Sequence, residues 1–245
     1  MGATVAKVQQ RAPVQAPAFA RLLARLADAD IPPSGPGLGE RLGQWIDWNR
    51  AVVLARALDG RLPKAGVTGD AAGDVAADAA ECARVRASLA EAIAGERGLN
   101  LPTPAAAPDY APFRQYCLAM QRAMQTASGR LRGQLRERLT AGSPQMARLA
   151  EVDAVMEQAL SPREHGLLSG VPLMLEAYFG RLCAAAAQPQ AEAAESQAAA
   201  TVAPSVAAPG AWLALFRRDL KDVLLAELDV RFHPIEGLLA ALRTS

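Results

Sequence analysis

Residues 109–140 read DYAPFRQYCLAMQRAMQTASGRLRGQLRERLT, and this stretch decides the fold. Its apolar residues recur mainly at alternating steps of four and three, which places them on one face of a helix. They are Phe113, Cys117, Met120, Met124, Ala127, Leu131, Leu135 and Leu139. Asp109 can cap the start, and Pro112 falls in the first turn, where its missing N–H does little harm. At about 1.5 Å per residue the helix is about 48 Å long, so its apolar face needs other helices against it.

The composition favours an all-α protein. Hydrophobic residues make up 51% of the chain, but aromatic residues make up only 4%. Alanine, which supplies much of the hydrophobic fraction, favours helix, and the scarcity of β-branched and aromatic residues argues against a sheet. We therefore expect an irregular antiparallel helical bundle built around the long helix of residues 109–140.

Composition also divides the chain into segments. Residues 1–16 are predicted to be a disordered tail, and residues 17–187 a helical bundle. Residues 188–210 consist mainly of Ala, Gln, Glu, Pro and Ser, which cannot bury enough surface to offset the entropy of ordering, so we predict a disordered linker. Residues 211–245 form an amphipathic C-terminal helix that we expect to dock on the bundle.

Periodic apolar residues predict further helices over about residues 38–58 and 75–94. In the first of these, Asn49 falls on the apolar face, where a polar residue can set the pairing register. Ser169-Gly170, just before a proline, predicts a break or kink. We expect the helix of residues 38–58, the central helix and residues 167–182 to share the core.

Serine–proline pairs and one further proline predict other helix ends. Ser143 and Ser161 each precede a proline, a pattern typical of a capping residue followed by the first helical residue. Glu164, three residues after Ser161, completes a capping box, so a new helix is predicted to begin there. Pro234 disfavours helical geometry at His233, so the C-terminal helix is predicted to end or kink at this point.

The sequence contains no recognisable catalytic or metal-binding motif. Cys82, Cys117 and Cys183 are far apart, and no two form a CxxC pair, so we expect reduced thiols rather than a disulfide or a zinc site. His165 and His233 are interpreted as structural residues. The chain is therefore predicted to be non-enzymatic and to use no cofactor.

The charge balance excludes a strong general attraction to nucleic acid or to anionic membranes. The chain has 26 basic and 25 acidic residues, a net charge of +1. The N-terminus lacks the apolar region of a signal peptide, and no stretch is long and apolar enough to span a bilayer. We expect a cytoplasmic protein without a membrane span.

Four arginines concentrate in the distal half of the central helix: Arg130, Arg132, Arg136 and Arg138. They can form a contact for an acidic partner or a nucleic-acid backbone. They can equally form a solvated face that pairs with acidic residues elsewhere in the chain. No aromatic residues interleave with them, which argues against binding of single-stranded nucleic acid.

The C-terminal helix provides two more candidate partner-binding residues, Trp212 and Phe216, which begin its apolar stripe. This helix can fold back on the bundle, or it can lay its apolar face in a groove of a partner protein. Either arrangement predicts that Trp212 is buried.

Four segments resemble a bacterial family of domains of unknown function, number 3348. They are FARLLARLADADIP (19–32), LGERLGQWIDW (38–48), SPREHGLLSGVPLMLEAYFGRL (161–182) and LAELDVRFHPIEGLLAALR (225–243). The resemblance implies no activity and therefore no functional residues. It implies a link to envelope proteins that resemble proton-channel and peptidoglycan-binding subunits, and thus an envelope-associated partner complex.

Every strong pattern in this sequence indicates a helix or a helix end. The expected function is therefore that of a non-enzymatic interaction or scaffold protein, or of an accessory subunit of a protein complex. The alternative is a nucleic-acid-binding regulator that uses the face from Arg130 to Arg138. Self-association stays open.

Overall fold

The computed structural model describes residues 17–29, 38–59, 75–95, 109–196 and 210–244. These ranges form eight α-helices and no strand, so the predicted all-α fold is confirmed. The helices are α1 (Ala18–Ala27), α2 (Leu38–Trp45), α3 (Trp48–Asp59), α4 (Val75–Ala94), α5 (Ala111–Ala141), α6 (Pro144–Leu168), α7 (Val171–Ser196) and α8 (Ala211–Arg243). The predicted tail of residues 1–16 and residues 197–209 of the predicted linker lie outside the described residues.

Helix α5 is the predicted central helix, and its stripe lies in the core. Six stripe residues are buried: Phe113, Cys117, Met124, Leu131, Leu135 and Leu139. Asp109 accepts a hydrogen bond from the Ala111 N–H at 2.9 Å, so it caps the helix start as predicted. Around this stripe α5 packs against α4, α6, α7 and α8.

Helix α8 is the second core helix, and the predicted core was wrong in leaving it out. It packs against α1, α4, α5 and α7. Its fully buried apolar residues include Phe216, Leu220, Val223, Leu224 and Ile235. Of the predicted helix 38–58, which was expected to share the core, the described residues of α2 are not buried, and in α3 only Ala57 is buried.

Helix α8 also continues through Pro234, so of the two predicted outcomes at His233 an end was wrong, whereas a kink stays a prediction. A proline inside a helix costs about 3 kcal/mol. Beyond it, Ile235, Leu238 and Leu239 are buried. Burial of each such side chain stabilises the fold by about 1.5–3 kcal/mol, so packing outweighs the cost of the proline.

The two serine–proline pairs behave differently. Ser143 is the N-cap of α6 and accepts a hydrogen bond from the Met146 N–H at 3.3 Å, as predicted. At Ser161 the prediction of a new helix was wrong, because α6 continues through Pro162 to Leu168. Glu164 lies 3.5 Å from the Arg231 guanidinium of α8, so a tertiary contact replaces the predicted capping box.

Other boundaries follow local chemistry. The helix predicted over residues 38–58 is divided, because Asp47 accepts a hydrogen bond from the Arg50 N–H at 2.9 Å and starts α3. Asn49 is exposed, so it sets no register in the core. The break at Ser169-Gly170 is confirmed. Helix α7 extends past the predicted boundary at residue 187 to Ser196, so residues 188–196 of the predicted linker are helical although they include Pro189.

An aromatic cluster joins the start of α5 to α7 and α8. Its members are Tyr110, Phe113, Tyr178, Phe179, Trp212 and Phe216. The rings of Phe179 and Phe216 meet edge to face with centroids 5.0 Å apart, a favourable geometry for aromatic pairs. Trp212 contacts Phe179 at 5.3 Å but is only partly buried. The aromatic cluster therefore holds the N-terminal part of α8 against the bundle.

We expect Leu224→Ala to lower the free energy of unfolding by about 2–5 kcal/mol, because it leaves a cavity in the core. Leu224 is 0% exposed, whereas Leu173 is 70% exposed and provides the matched control. Leu173→Ala should change stability by no more than about 0.5 kcal/mol. Urea unfolding followed by circular dichroism measures both values. Equal losses in the two variants would contradict the core position of α8.

Candidate functional site

A cavity of about 560 Å³ lies between α5, α6 and α8, with Trp45 of α2 in its lining. This volume falls within the range of about 300–1,000 Å³ that is usual for ligand pockets. Three arginines line it, and α5, α6 and α8 contribute one each: Arg132, Arg163 and Arg231. The cavity therefore concentrates positive side chains in a site that no sequence motif indicated.

Arg132 joins α5 to α6. Its guanidinium donates two parallel hydrogen bonds to Asp153, at 2.8 and 2.7 Å. The side chains of Arg132 and Asp153 are only 16% and 13% exposed. Arg136, one turn further along α5, donates to both Asp153 and Glu157. The resulting charge cluster is more strongly shielded from water than an ordinary surface ion pair.

Arg231 belongs to a buried ion pair inside α8. It donates to Glu227 Oε1 at 2.9 and 2.8 Å, and the Glu227 side chain is 0% exposed. Gln121 of α5 donates to the other carboxylate oxygen at 3.0 Å and to the Leu168 carbonyl at 3.1 Å. The Glu227 carboxylate therefore accepts hydrogen bonds from side chains of two helices, α8 and α5.

Sequence reasoning missed this pair although a signal was present. Glu227 lies on the apolar stripe of α8, three residues after Leu224, and Arg231 follows it by four residues. An acidic residue on an apolar stripe, followed four positions later by a basic residue, is typical of a buried ion pair. The hydrophobic residues of the stripe, taken alone, do not reveal this ion pair.

The structure separates the four arginines that the sequence grouped. Arg130 lies 3.2 Å from Glu81, and Arg138 lies 3.1 Å from Asp78, so both contact α4. Arg132 and Arg136 contact α6 instead. Each of the four is therefore paired with an acidic residue of the same chain, and only Arg132 lines the cavity.

The two aromatic candidates lie in the aromatic cluster and do not line the cavity. Phe216 is 0% exposed, so its assignment as a partner-binding residue is corrected: it is a core residue in this fold. Its rigid packing against Phe179 explains the burial, because large rings that interlock exclude solvent. Trp212 keeps a partly exposed edge.

Arg163 differs from the other two lining arginines. Its guanidinium lies 5.5 Å from the centroid of the Trp45 ring, a cation–π contact. In the part of the chain that the structure describes, no carboxylate lies within ion-pair distance of it. His165 and His233, which are far apart in sequence, line the same cavity and are exposed.

The cysteines lie outside the cavity lining, and all three are free thiols. Cys82 and Cys117 are buried, and Cys183 is partly exposed. Burial, together with the nearby Glu227 charge, raises the pKa of Cys117 to about 12. Burial also raises the pKa of Cys82. Among the described residues no cluster of three or more His, Cys, Asp or Glu side chains is placed to hold a metal ion.

These features define an all-α bundle whose core helix contains a buried ion pair next to a cavity lined by both charged and apolar residues. The chain belongs to the family described as protein of unknown function (DUF3348), whose model matches residues 5–244. The match confirms the family resemblance found in the sequence. No curated protein and no solved structure matches the chain. None of the helices in the described ranges is both long and apolar enough to cross a membrane.

We expect Glu227→Leu to cost about 3–5 kcal/mol of stability, because Arg231 would lose the main partner of a nearly buried charge. The double variant Glu227→Leu/Arg231→Met should recover part of this loss, since it removes both charges. Urea unfolding of the single and double variants measures the difference.

Asp229→Ala provides the control, because Asp229 pairs with Arg86 where both side chains are about half exposed. Such a pair contributes about 0–1 kcal/mol. A cost of less than about 1 kcal/mol for Glu227→Leu would show that the buried pair contributes no more than a surface pair.

The thiols should differ in their reaction with iodoacetamide at pH 8. Only the thiolate reacts, so the raised pKa and full burial of Cys117 predict that Cys183 is labelled first and Cys117 last. Peptide mass spectrometry over time measures the order. In guanidinium chloride all three should react at similar rates. Early labelling of Cys117 in the folded protein would refute its position in the core.

Proposed function

We propose that the protein is a non-enzymatic helical accessory subunit that binds another protein through α3. The supporting observation is a concentration of exposed apolar side chains on this helix. Trp48, Val53 and Leu58 are 81%, 47% and 51% exposed. These three exposed apolar side chains lie on one helix of 12 residues, and exposed apolar surface that a partner covers as a whole is typical of an interaction site.

The packing of α3 explains why these residues are uncovered. Helix α3 lies against α6, and of its residues only Ala57 is buried. Apart from Asn49, Arg50, Arg56 and Asp59, the helix is apolar. The contact with α6 thus covers a narrow strip of a largely apolar helix.

The spacing of the exposed residues supports a partner that covers more than one side of α3. Steps of five residues, at about 100° per residue, place Val53 about 140° around the axis from both Trp48 and Leu58, which are about 80° apart. Apolar residues on all sides are typical of a buried helix. Tryptophan is also enriched among the residues that contribute most to binding energy in protein interfaces.

The other surfaces suggested by the sequence support this function less well. The apolar face of α8 is buried within the bundle, so it is not available to a partner in this conformation. The face from Arg130 to Arg138 is paired with acidic residues of α4 and α6, which leaves the nucleic-acid alternative without a supporting observation. A cytoplasmic location and an envelope-associated partner complex stay predictions, and self-association through α3 belongs to the same proposal.

The test compares α3 variants with a matched control. Tagged Trp48→Ser and Val53→Ser proteins should recover the partner from cells of the source organism at least about tenfold less well than the wild type, because central apolar anchors contribute 1.4 kcal/mol or more. Leu173→Ser, which changes an α7 residue whose exposure of 70% lies between those of Val53 and Trp48, should recover it normally. Quantitative mass spectrometry measures recovery, and analytical ultracentrifugation detects a second copy as the partner.

Circular dichroism and thermal unfolding should show the same fold in all variants, since none of the changed residues is buried. A partner that the two α3 variants recover as well as the wild type does would rule out α3 as the contact.

A further inference from the structure

We propose that the cavity between α5, α6 and α8 binds a small organic carboxylate with an apolar body. This site goes beyond the proposed function, because the α3 residues that support the protein contact do not line it. Three features of the cavity support this ligand: one unmatched guanidinium, the pairing of the remaining charges and an apolar part of the lining.

The unmatched guanidinium is that of Arg163. It is exposed at the cavity and lies over the ring of Trp45 at 5.5 Å. This contact with the aromatic ring limits the motion of the guanidinium, whose N–H donors have no carboxylate partner among the described residues. These donors match the two oxygens of a carboxylate in a bidentate arrangement.

The remaining lining charges are already neutralised. Arg132 and Arg231 are held by carboxylates at 2.7 and 2.8 Å. Glu157 contacts Arg136 and also Arg132, and Glu164 lies 3.5 Å from Arg231. The two glutamates therefore oppose an incoming anion less than free carboxylates would. One unmatched guanidinium suits a single negative charge, such as a monocarboxylate, better than the higher charge of a phosphate group.

The apolar part of the lining selects the body of the ligand. Leu160, Leu167, Val230 and Pro234 line the cavity together with the Trp45 ring. Leu167 is 64% exposed, so a ligand that covers it removes apolar surface from water. His165, His233 and Ser161 also line the cavity, and their side chains can donate hydrogen bonds to the carboxylate.

Gly129 offers a way to close the site without disturbing the core. It lines the cavity from α5, and a Cβ atom added there would meet no atom within 4 Å. Gly129→Leu should therefore place its side chain into the cavity. Leucine also favours helix over glycine, so the variant should be at least as stable as the wild type.

The experiment titrates 4-phenylbutyrate into the full-length protein by isothermal titration calorimetry. We expect saturable binding, and binding of the neutral 4-phenylbutanol at least about tenfold weaker, because the loss of a charge-assisted hydrogen bond has that effect. Arg163→Gln should weaken 4-phenylbutyrate binding by about the same factor, and Gly129→Leu should abolish it.

Two variants are expected to bind like the wild type. Arg122→Gln removes an exposed arginine of α5 that does not line the cavity, and Trp48→Ser changes the proposed protein contact. Absence of saturable binding at about 1 mM ligand would overturn the proposal. So would equal affinity for the alcohol, or binding that both Arg163→Gln and Gly129→Leu leave unchanged. Trp48 does not line the cavity. Failure of ligand binding therefore leaves the proposed protein contact of α3 intact, and failure of the protein contact leaves the proposed ligand site intact.

Discussion

The buried ion pair of Glu227 and Arg231 is the constraint on which the arrangement of the long helices depends. Removing a carboxylate from water costs several kcal/mol unless hydrogen bonds and an opposite charge replace its hydration. In this protein Arg231 supplies the charge, and Gln121 of α5 supplies a hydrogen bond to the second oxygen. The same Gln121 amide donates to the Leu168 carbonyl at the end of α6. The pair therefore sets the register of α8 against α5 and positions the end of α6.

The charged side chains next to this pair shape the cavity. Arg231 reaches Glu164 of α6, and Arg132 of α5 reaches Asp153 one helix away. These contacts place two paired arginines beside a space that no large side chain fills. Gly129 contributes to that space because it has no side chain. The cavity therefore results from the way polar groups are paired, and the apolar residues that line it stay partly accessible.

The sequence predicts most accurately those helices in which the apolar stripe and the local end signals indicate the same bounds. Periodicity and local end signals are enough to predict the helix that carries the stripe from Phe113 to Leu139 and the helix of residues 75–94. In both helices the tertiary contacts do not oppose these local signals. The failures occurred where a local end signal competed with burial. At Pro162 and Pro234 the chain stays helical, because residues beyond each proline are buried or contact another helix, and this energy exceeds the local cost.

The sequence by itself determined the fold class, the central helix, the break at Ser169-Gly170 and the membership of the family. These features depend on residues that are close in the chain, where spacing alone decides which side chains share a face. Only the tertiary structure decided that α8 lies in the core, that four neighbouring arginines pair with two different helices, and that His165, His233 and Arg163 line one cavity. Such contacts join residues far apart in the chain, and helical periodicity contains no information about which helices meet.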